Sequence, residues 1–163
     1  MVSESCNMAF HYKTQGIIIK KQDSGEANCI FKVFTQEYGK LTLFATSVRK
    51  STSKLRGGLE LFSLSQLEFV QGKQKKVLVE AIPLEQYSSI RQDFARLQTA
   101  YKIVDLIEQT ITGQEKDEKI WESLKHSLSL IDQGASTKVV YRLFSQHVFL
   151  TLGYRSEIRH GIF

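Results

Sequence analysis

The chain has 163 residues, of which 42% are hydrophobic and 24% are charged, with one proline and ten glycines. This composition excludes a disordered, collagen-like or proline-rich chain and predicts one ordinary globular domain or two small ones. Two cysteines are too few for a disulfide-rich secreted scaffold. The N-terminus lacks a signal-peptide pattern, and no apolar stretch reaches the roughly 20 residues that span a bilayer. We therefore expect a cytoplasmic protein with no membrane contact.

The net charge of +5 is concentrated in the first half of the chain. Residues 1–80 contain twelve Lys and Arg against seven Asp and Glu, whereas residues 81–163 contain ten of each. The segment 38–59 has no acidic residue and carries five cations: Lys40, Arg49, Lys50, Lys54 and Arg56. A second group follows at Lys73, Lys75 and Lys76. Such a segment is typical of a polyanion contact, because cations that neutralise phosphates release counterions. A solvated surface loop would give the same pattern.

Residues 12–82 follow the two-residue period of β-strands. We predict five short strands, at 12–20, 28–35, 40–48, 61–70 and 75–82, separated by turn residues such as Gly25, Gly39 and Gly57. Five strands are too few for two packed sheets, so a small barrel of the OB-fold type is predicted. We expect residues 1–11, which precede the first strand, to be a disordered extension.

The third predicted strand carries a polar face formed by Lys40, Thr42, Phe44 and Thr46. Cations that hold phosphates beside a ring that can stack on bases are what a single-strand groove requires. Cover by the helical half of the chain is the structural alternative for Phe44, because an exposed phenylalanine is unusual. The candidate DNA-binding residues are Arg49, Lys50, Lys54, Arg56, Lys40, Lys73, Lys75 and Phe44.

Residues 83–163 switch to the helical period and are predicted to form a small all-α domain of about three helices. Apolar residues from Tyr87 to Ile111 recur every three or four positions, which predicts one helix of about six turns. A second helix is predicted over 117–131, and a third begins after Ser136 and ends before Gly153. The third is apolar on several faces, so it requires cover by the barrel, by another subunit or by further chain. Because another subunit is one of these alternatives, the sequence leaves open whether the chain forms a homo-oligomer. The predicted fold class is α+β.

The sequence lacks the common catalytic motifs. It has no Walker-type glycine loop, no GxSxG and no HExxH, and the one S-x-x-K match, at Ser51 to Lys54, has no partner motif. The four histidines and two cysteines are not at metal-ligand spacing. We predict no catalytic residue, no metal site and no cofactor. An enzyme of unrecognised type ranks third among the functions considered, after the two given below.

Several segments of the first half resemble the N-terminal signature of the RecO family of bacterial recombination mediators. They are Tyr12–Ile18, Gly25–Ala27, Thr35–Lys40, Val48–Ser51 and Leu59-Glu60 with Phe62. The helices and Leu152-Gly153-Tyr154 resemble the following helical domain of the family. The segments of the first half, from Tyr12 to Phe62, together cover about the first 70 residues and follow the family's order and spacing.

The resemblance implies a non-catalytic DNA repair protein with an OB-fold at residues 12–82 and a helical domain at 83–163. It implies binding of single- and double-stranded DNA through the backbone, annealing of complementary strands and loading of RecA. The implied protein partners are RecR and the single-stranded DNA-binding protein, with RecA reached indirectly. The family's basic loop falls on Arg49, Lys50, Lys54 and Arg56. The alternative function is an adaptor whose helical half docks proteins and whose basic barrel binds an acidic peptide.

Overall fold

The computed structural model describes residues 9–50 and 53–153. Five β-strands come first: β1 (His11–Ser24), β2 (Asn28–Thr35), β3 (Gly39–Ala45), β4 (Leu64–Gln71) and β5 (Lys76–Glu85). The described chain then forms four helices: α1 (Ser88–Gln92), α2 (Phe94–Thr110), α3 (Glu118–Asp132) and α4 (Thr137–Thr151). The strands close into a barrel, so the predicted α+β fold is confirmed. The N-terminal extension was expected to comprise residues 1–11. Residues 1–8 lie outside the described part of the chain, whereas His11 already belongs to β1.

The barrel closes in the order β1-β2-β3-β5-β4, with β4 pairing back onto β1. Neighbouring strands are antiparallel except β3 and β5, which are parallel where Leu43 and Phe44 pair with Lys76 and Val77. Alternate residues of each strand point inward, which is why Phe31, Val33 and Leu43 are fully buried. The period-two pattern of the sequence is therefore the pattern of the barrel wall.

Closure depends on the length of β1, which has 14 residues. Its first half pairs with β4 and its second half pairs with β2, and both strands flank it around Gly16. A Cβ atom at Gly16 would lie 2.5 Å from Cγ1 of Val33 and 2.8 Å from Cδ1 of Leu67. Because real Cβ atoms do not approach so closely, a side chain at this position would force Val33 and Leu67 to move.

The fifth strand is longer than predicted. The residue pattern predicted that this strand ends at Ile82, but β5 continues through Pro83 to Glu85. In the described residues β3 pairs with β5 only at Lys76 and Val77, so β4 is the strand neighbour of the rest of β5. A residue without an N–H group is tolerated along such a free edge.

The first predicted helix is corrected to two helices. The chain breaks at Asp93, which is extended (φ −125°, ψ 129°) between α1 and α2. The carboxylate of Asp93 accepts a hydrogen bond from the backbone N–H of Arg96 at 3.0 Å, as an N-cap residue does. The apolar period continues across the break, because Ile90 of α1 and Ala100 of α2 are both fully buried. Periodicity alone therefore could not reveal it.

The helices pack directly on the outside of the barrel. One buried cluster contains Ile17, Phe34 and Phe62 from the barrel together with Ile103 and Trp121 from the helices. The rings of Phe34 and Trp121 lie with their centroids 6.3 Å apart. The helical half thus covers one side of the barrel wall and leaves the other side, and the barrel end at the 24–28 and 71–76 turns, open to solvent.

Candidate nucleic-acid interface

The outer strand face is formed by Lys20, Ile30, Lys32, Thr42 and Phe44, which are neighbours across strands β1, β2 and β3. Across the strands Lys20 lies opposite Lys32, Lys32 opposite Thr42, and Ile30 opposite Phe44. Thr42 is exposed, and Ile30, Lys32 and Phe44 are half-buried. This face therefore presents a hydroxyl and a ring, with its two lysines at the edge where α2 contributes the carboxylate of Glu108.

Lys75 extends the outer strand face from the turn between β4 and β5. Phe44 pairs with Val77, which places the turn 71–76 beside the ring. The ammonium of Lys75 lies 3.5 Å from the centroid of the Phe44 ring, a cation–π contact. Two of the predicted DNA-binding residues, Phe44 and Lys75, thus lie in contact, and Lys73 in the same turn is exposed.

Lys40 does not share that exposure. Its Nζ atom donates to Oε1 of Glu108 at 2.9 Å and to the backbone carbonyl of Glu108 at 3.1 Å. Lys32 Nζ lies 3.1 Å from the same carboxylate oxygen. The side chain of Lys40 is only 17% exposed. We therefore assign Lys40 to the contact between barrel and helices and leave it out of the proposed DNA surface.

Two opposing effects set the pKa of Glu108. Burial raises the pKa of this carboxyl, but the hydrogen bonds from Lys40 and Lys32 outweigh burial and hold the pKa below its ordinary value. Glu108 is therefore ionised at neutral pH. Its negative charge sits where the outer strand face meets α2, and it sets one limit of the cationic surface.

The barrel mouth is a second cationic site, next to the turn between β1 and β2. It is a cavity of about 250 Å³. Its lining residues are Lys21, Val48, Arg49, Arg56, Leu59 and Glu60. Lys21 lies opposite Phe31 in the strand pairing and is exposed. Together with Lys20 it also lines a second cavity, beside α2, that contains Asp105 and Glu108.

Local packing holds Arg56 at the mouth. Arg56 begins a 3₁₀ turn, Arg56–Gly58, that packs against β5. A Cβ at Gly58 would lie 2.5 Å from the carbonyl oxygen of Ala81, and the hydroxyl of Ser65 donates to the Gly58 carbonyl at 2.6 Å. Arg49 lies 3.8 Å from the carboxylate of Asp23, but both side chains are at least half exposed. Such a pair stabilises weakly and leaves Arg49 free to contact another anion.

Lys50 and Lys54 complete the predicted basic loop. Both side chains are exposed, and neither forms an ion pair with another described residue. The structure therefore places Arg49 and Arg56 at the barrel mouth, with Lys50 and Lys54 exposed between them in the chain. The predicted candidates that it separates from them are Phe44 and Lys75, on the outer strand face, and Lys40, at the helices.

Sequence reasoning missed Lys20 and Lys21 as members of these sites. They follow the apolar run Ile17-Ile18-Ile19, where no alternation shows which lysine faces which side. A shift of register between Ile18 and Lys20 decides it, and places the two lysines on the outer strand face and at the mouth. The three consecutive isoleucines could have indicated this arrangement, because they place side chains of one strand in both buried clusters.

Among residues 9–50 and 53–153, no helix has the length and apolarity that a membrane crossing requires. The same residues contain no group of three or more His, Cys, Asp or Glu side chains placed to share a metal ion.

Comparison with known proteins gives one family. Residues 8–87 match the family model described as recombination protein O, N terminal. The chain is 27% identical over 147 residues to the DNA repair protein RecO of Roseiflexus sp. (strain RS-1), covering 90% of this chain and 52% of that protein. It is 31% identical over 142 residues to the DNA repair protein RecO of Gloeothece citriformis, covering 87% of this chain and 50% of that protein.

A third relative is the DNA repair protein RecO of Halalkalibacterium halodurans, 27% identical over 149 residues, with 91% of this chain and 58% of that protein covered. The chain thus spans about half the length of the curated relatives it matches. Each match to these three relatives is too long to be confined to the barrel, and the resemblance drawn from the sequence is confirmed. The barrel half of the chain, residues 8–87, thus matches the N-terminal domain of the recombination protein O family.

Proposed function

We propose that this protein is a non-catalytic mediator of recombinational DNA repair that binds single- and double-stranded DNA through the phosphate backbone. In the cytoplasm it would bring complementary strands together for annealing and help load RecA. RecR and the single-stranded DNA-binding protein would be its protein partners. The relatives' name supports a role in repair, and the cationic end of the barrel supports contact with DNA.

The strongest support is the position of the basic loop. Arg49, Lys50, Lys54 and Arg56 are exposed, Arg49 and Arg56 line the barrel mouth, and all four belong to a segment without any acidic residue. An acidic pair partner would neutralise them, but the ion pair in this group, Arg49 with Asp23, is long and solvent-exposed. Glu60 also lines the mouth, but exposed cations held only by weak surface pairs remain available to bind phosphates irrespective of base sequence.

The salt dependence of binding tests the electrostatic premise. If four or five phosphates of a single strand are neutralised, the logarithm of the affinity should fall with the logarithm of salt concentration with a slope of about −3. Fluorescence anisotropy of a labelled oligonucleotide at several salt concentrations measures this slope. A response that is flat with salt would contradict phosphate binding.

Charge reversal tests the site. Changing Arg49, Lys50 and Lys54 together to Glu should weaken binding of both single and double strands by at least about tenfold, because each neutralised phosphate depends on a local cation. A control variant with the same change in net charge reverses three exposed cations of the helical half: Lys102, Lys119 and Lys138. Equal losses in the two variants would show a net-charge effect and exclude the basic loop as the site.

An adaptor is the second candidate function, and α4 gives it a specific observation. Val139, Leu143 and Leu150 follow one side of this helix and are 54%, 59% and 51% exposed. An apolar stripe of this kind marks a protein contact. If the barrel binds an acidic peptide rather than DNA, an oligo-glutamate peptide should bind with the same dependence on the basic loop, and DNA should not compete with it.

A further inference from the structure

Phe44 differs from the other phenylalanines of strands β2 and β3. Phe31 and Phe34 are fully buried, one inside the barrel and one beneath the helices. Phe44 lies on the outer strand face and is only half-buried, although a phenylalanine in a strand gains most from complete burial. A charged side chain lies over one face of its ring.

That cover is the ammonium of Lys75, 3.5 Å from the centroid of the ring. Lys75 is exposed and lies in the turn 72–75 between two strands, where little holds its side chain apart from the ring. An exposed cation–π contact is worth about 0.5–1 kcal/mol, whereas stacking of one base on an aromatic side chain is worth about 1–3 kcal/mol. A base can therefore displace the ammonium from the ring.

We propose that Phe44 is a stacking position for a base of single-stranded DNA and that Lys75 covers the ring until the base replaces it. This inference rests on the proposed function and adds base contact to the backbone binding described above. The displaced ammonium of Lys75 stays within reach of the same nucleotide and contacts its phosphate.

The ring gives the outer strand face a preference that the barrel mouth does not have. Bases of a duplex are already stacked and paired, so only an unpaired base can lie on Phe44. Among the described residues that line the mouth there is no aromatic ring, so phosphate contact there is independent of strand state. Single strands therefore gain one contact that duplexes lack.

Abasic DNA separates stacking from phosphate binding. Oligodeoxythymidine and a strand of equal length with abasic sites carry the same phosphates, and a duplex of equal length serves as the third ligand. Phe44→Leu keeps apolar volume but removes the ring. It should lower affinity for oligodeoxythymidine at least about fivefold and change affinity for the abasic strand and the duplex less than about twofold. Phe44→Tyr should keep the wild-type preference.

Lys75→Ala tests the cover. Affinity for the abasic strand should fall, because one phosphate contact is lost. The ratio of the affinities for oligodeoxythymidine and the abasic strand should rise about two- to fivefold, because no ammonium has to leave the ring.

The outcomes distinguish the two proposals. If the wild-type protein binds none of the three ligands at low salt, the proposed function itself fails. If it binds them, but Phe44→Leu weakens all three equally with an unchanged circular dichroism spectrum, the ring is only structural and the stacking inference is overturned. A ratio that falls in Lys75→Ala would overturn the covering role of Lys75.

Discussion

Glu108 connects α2 to the cations of the barrel, so its replacement is a direct test of the interdomain contact. In Glu108→Gln the amide keeps the side-chain shape but removes the charge that Lys40 and Lys32 approach at 2.9 and 3.1 Å. Hydrogen bonds to charged groups contribute about 1.5–3 kcal/mol when desolvated. The side chains of Lys40, Glu108 and Lys32 are 17%, 26% and 38% exposed, which reduces the contribution through solvent screening. We therefore expect a loss of about 1–2 kcal/mol.

The assay is thermal unfolding followed by circular dichroism. A loss of this size should lower Tm by about 2–8 °C for a chain of this length. The pH dependence has a defined sign. Because the folded-state pKa of Glu108 is depressed, its stabilisation is present above the unfolded-state pKa and is lost as pH falls through the folded-state pKa. The difference between wild type and variant should thus shrink from neutral pH to about pH 3.

A control variant, Glu122→Gln, removes an exposed carboxylate of α3 whose ion-pair contact, 3.8 Å to Lys125, is a surface pair. It should change Tm by less than about 1 °C. If Glu108→Gln is as stable as wild type at neutral pH, or if its deficit persists unchanged into acid, the ion pairs do not stabilise the contact.

Two further predictions concern the barrel and its junction. Gly16→Ala should destabilise the protein by about 1–3 kcal/mol in urea unfolding, because its methyl group would meet Val33 and Leu67 inside 3 Å, whereas Gly57→Ala, with no atom within 4 Å, should be neutral; equal stability of the two variants would disprove the close approach. Burial raises the pKa of Tyr87 to about 12, and nearby carboxylates add smaller effects in the same direction. The contribution of the neutral Tyr87 side chain to the free energy of unfolding is therefore complete below the unfolded-state pKa and is lost as pH rises toward 12. Tyr87→Phe should therefore lose less stability than wild type between about pH 10 and 12, and parallel curves for the two proteins would contradict the shift.

The strand pattern was predictable because barrel residues alternate by necessity. Leu41, Leu43 and Ala45 are buried and the residues between them are not, as the period of two requires. The break at Asp93 was not predicted, although an aspartate three positions before Arg96 is a recognisable N-cap, since the apolar period runs through it. Because the apolar period is the same on both sides of Asp93, this single aspartate is the only local sign of the boundary between α1 and α2.

The candidate site was predictable in composition but not in arrangement. Lys40 and Glu108 are separated by 68 positions, so no local pattern shows that they meet. The same holds for Lys75 and Phe44, which the parallel pairing of β3 with β5 brings together. Charge counting identifies which segment is cationic, whereas the register of the strands determines which cations face the same side.

The apolar cluster that contains both Phe34 and Trp121 has a consequence for how the molecule comes apart. A protease cut or a truncation near residue 86 would separate the barrel from the helices and bare Phe34, Phe62 and Leu64 to water on one fragment and Ile103 and Trp121 on the other. The barrel fragment would keep its own interior cluster around Phe31 and Leu43 but would expose this apolar surface, and heat should melt the intact chain in a single cooperative step.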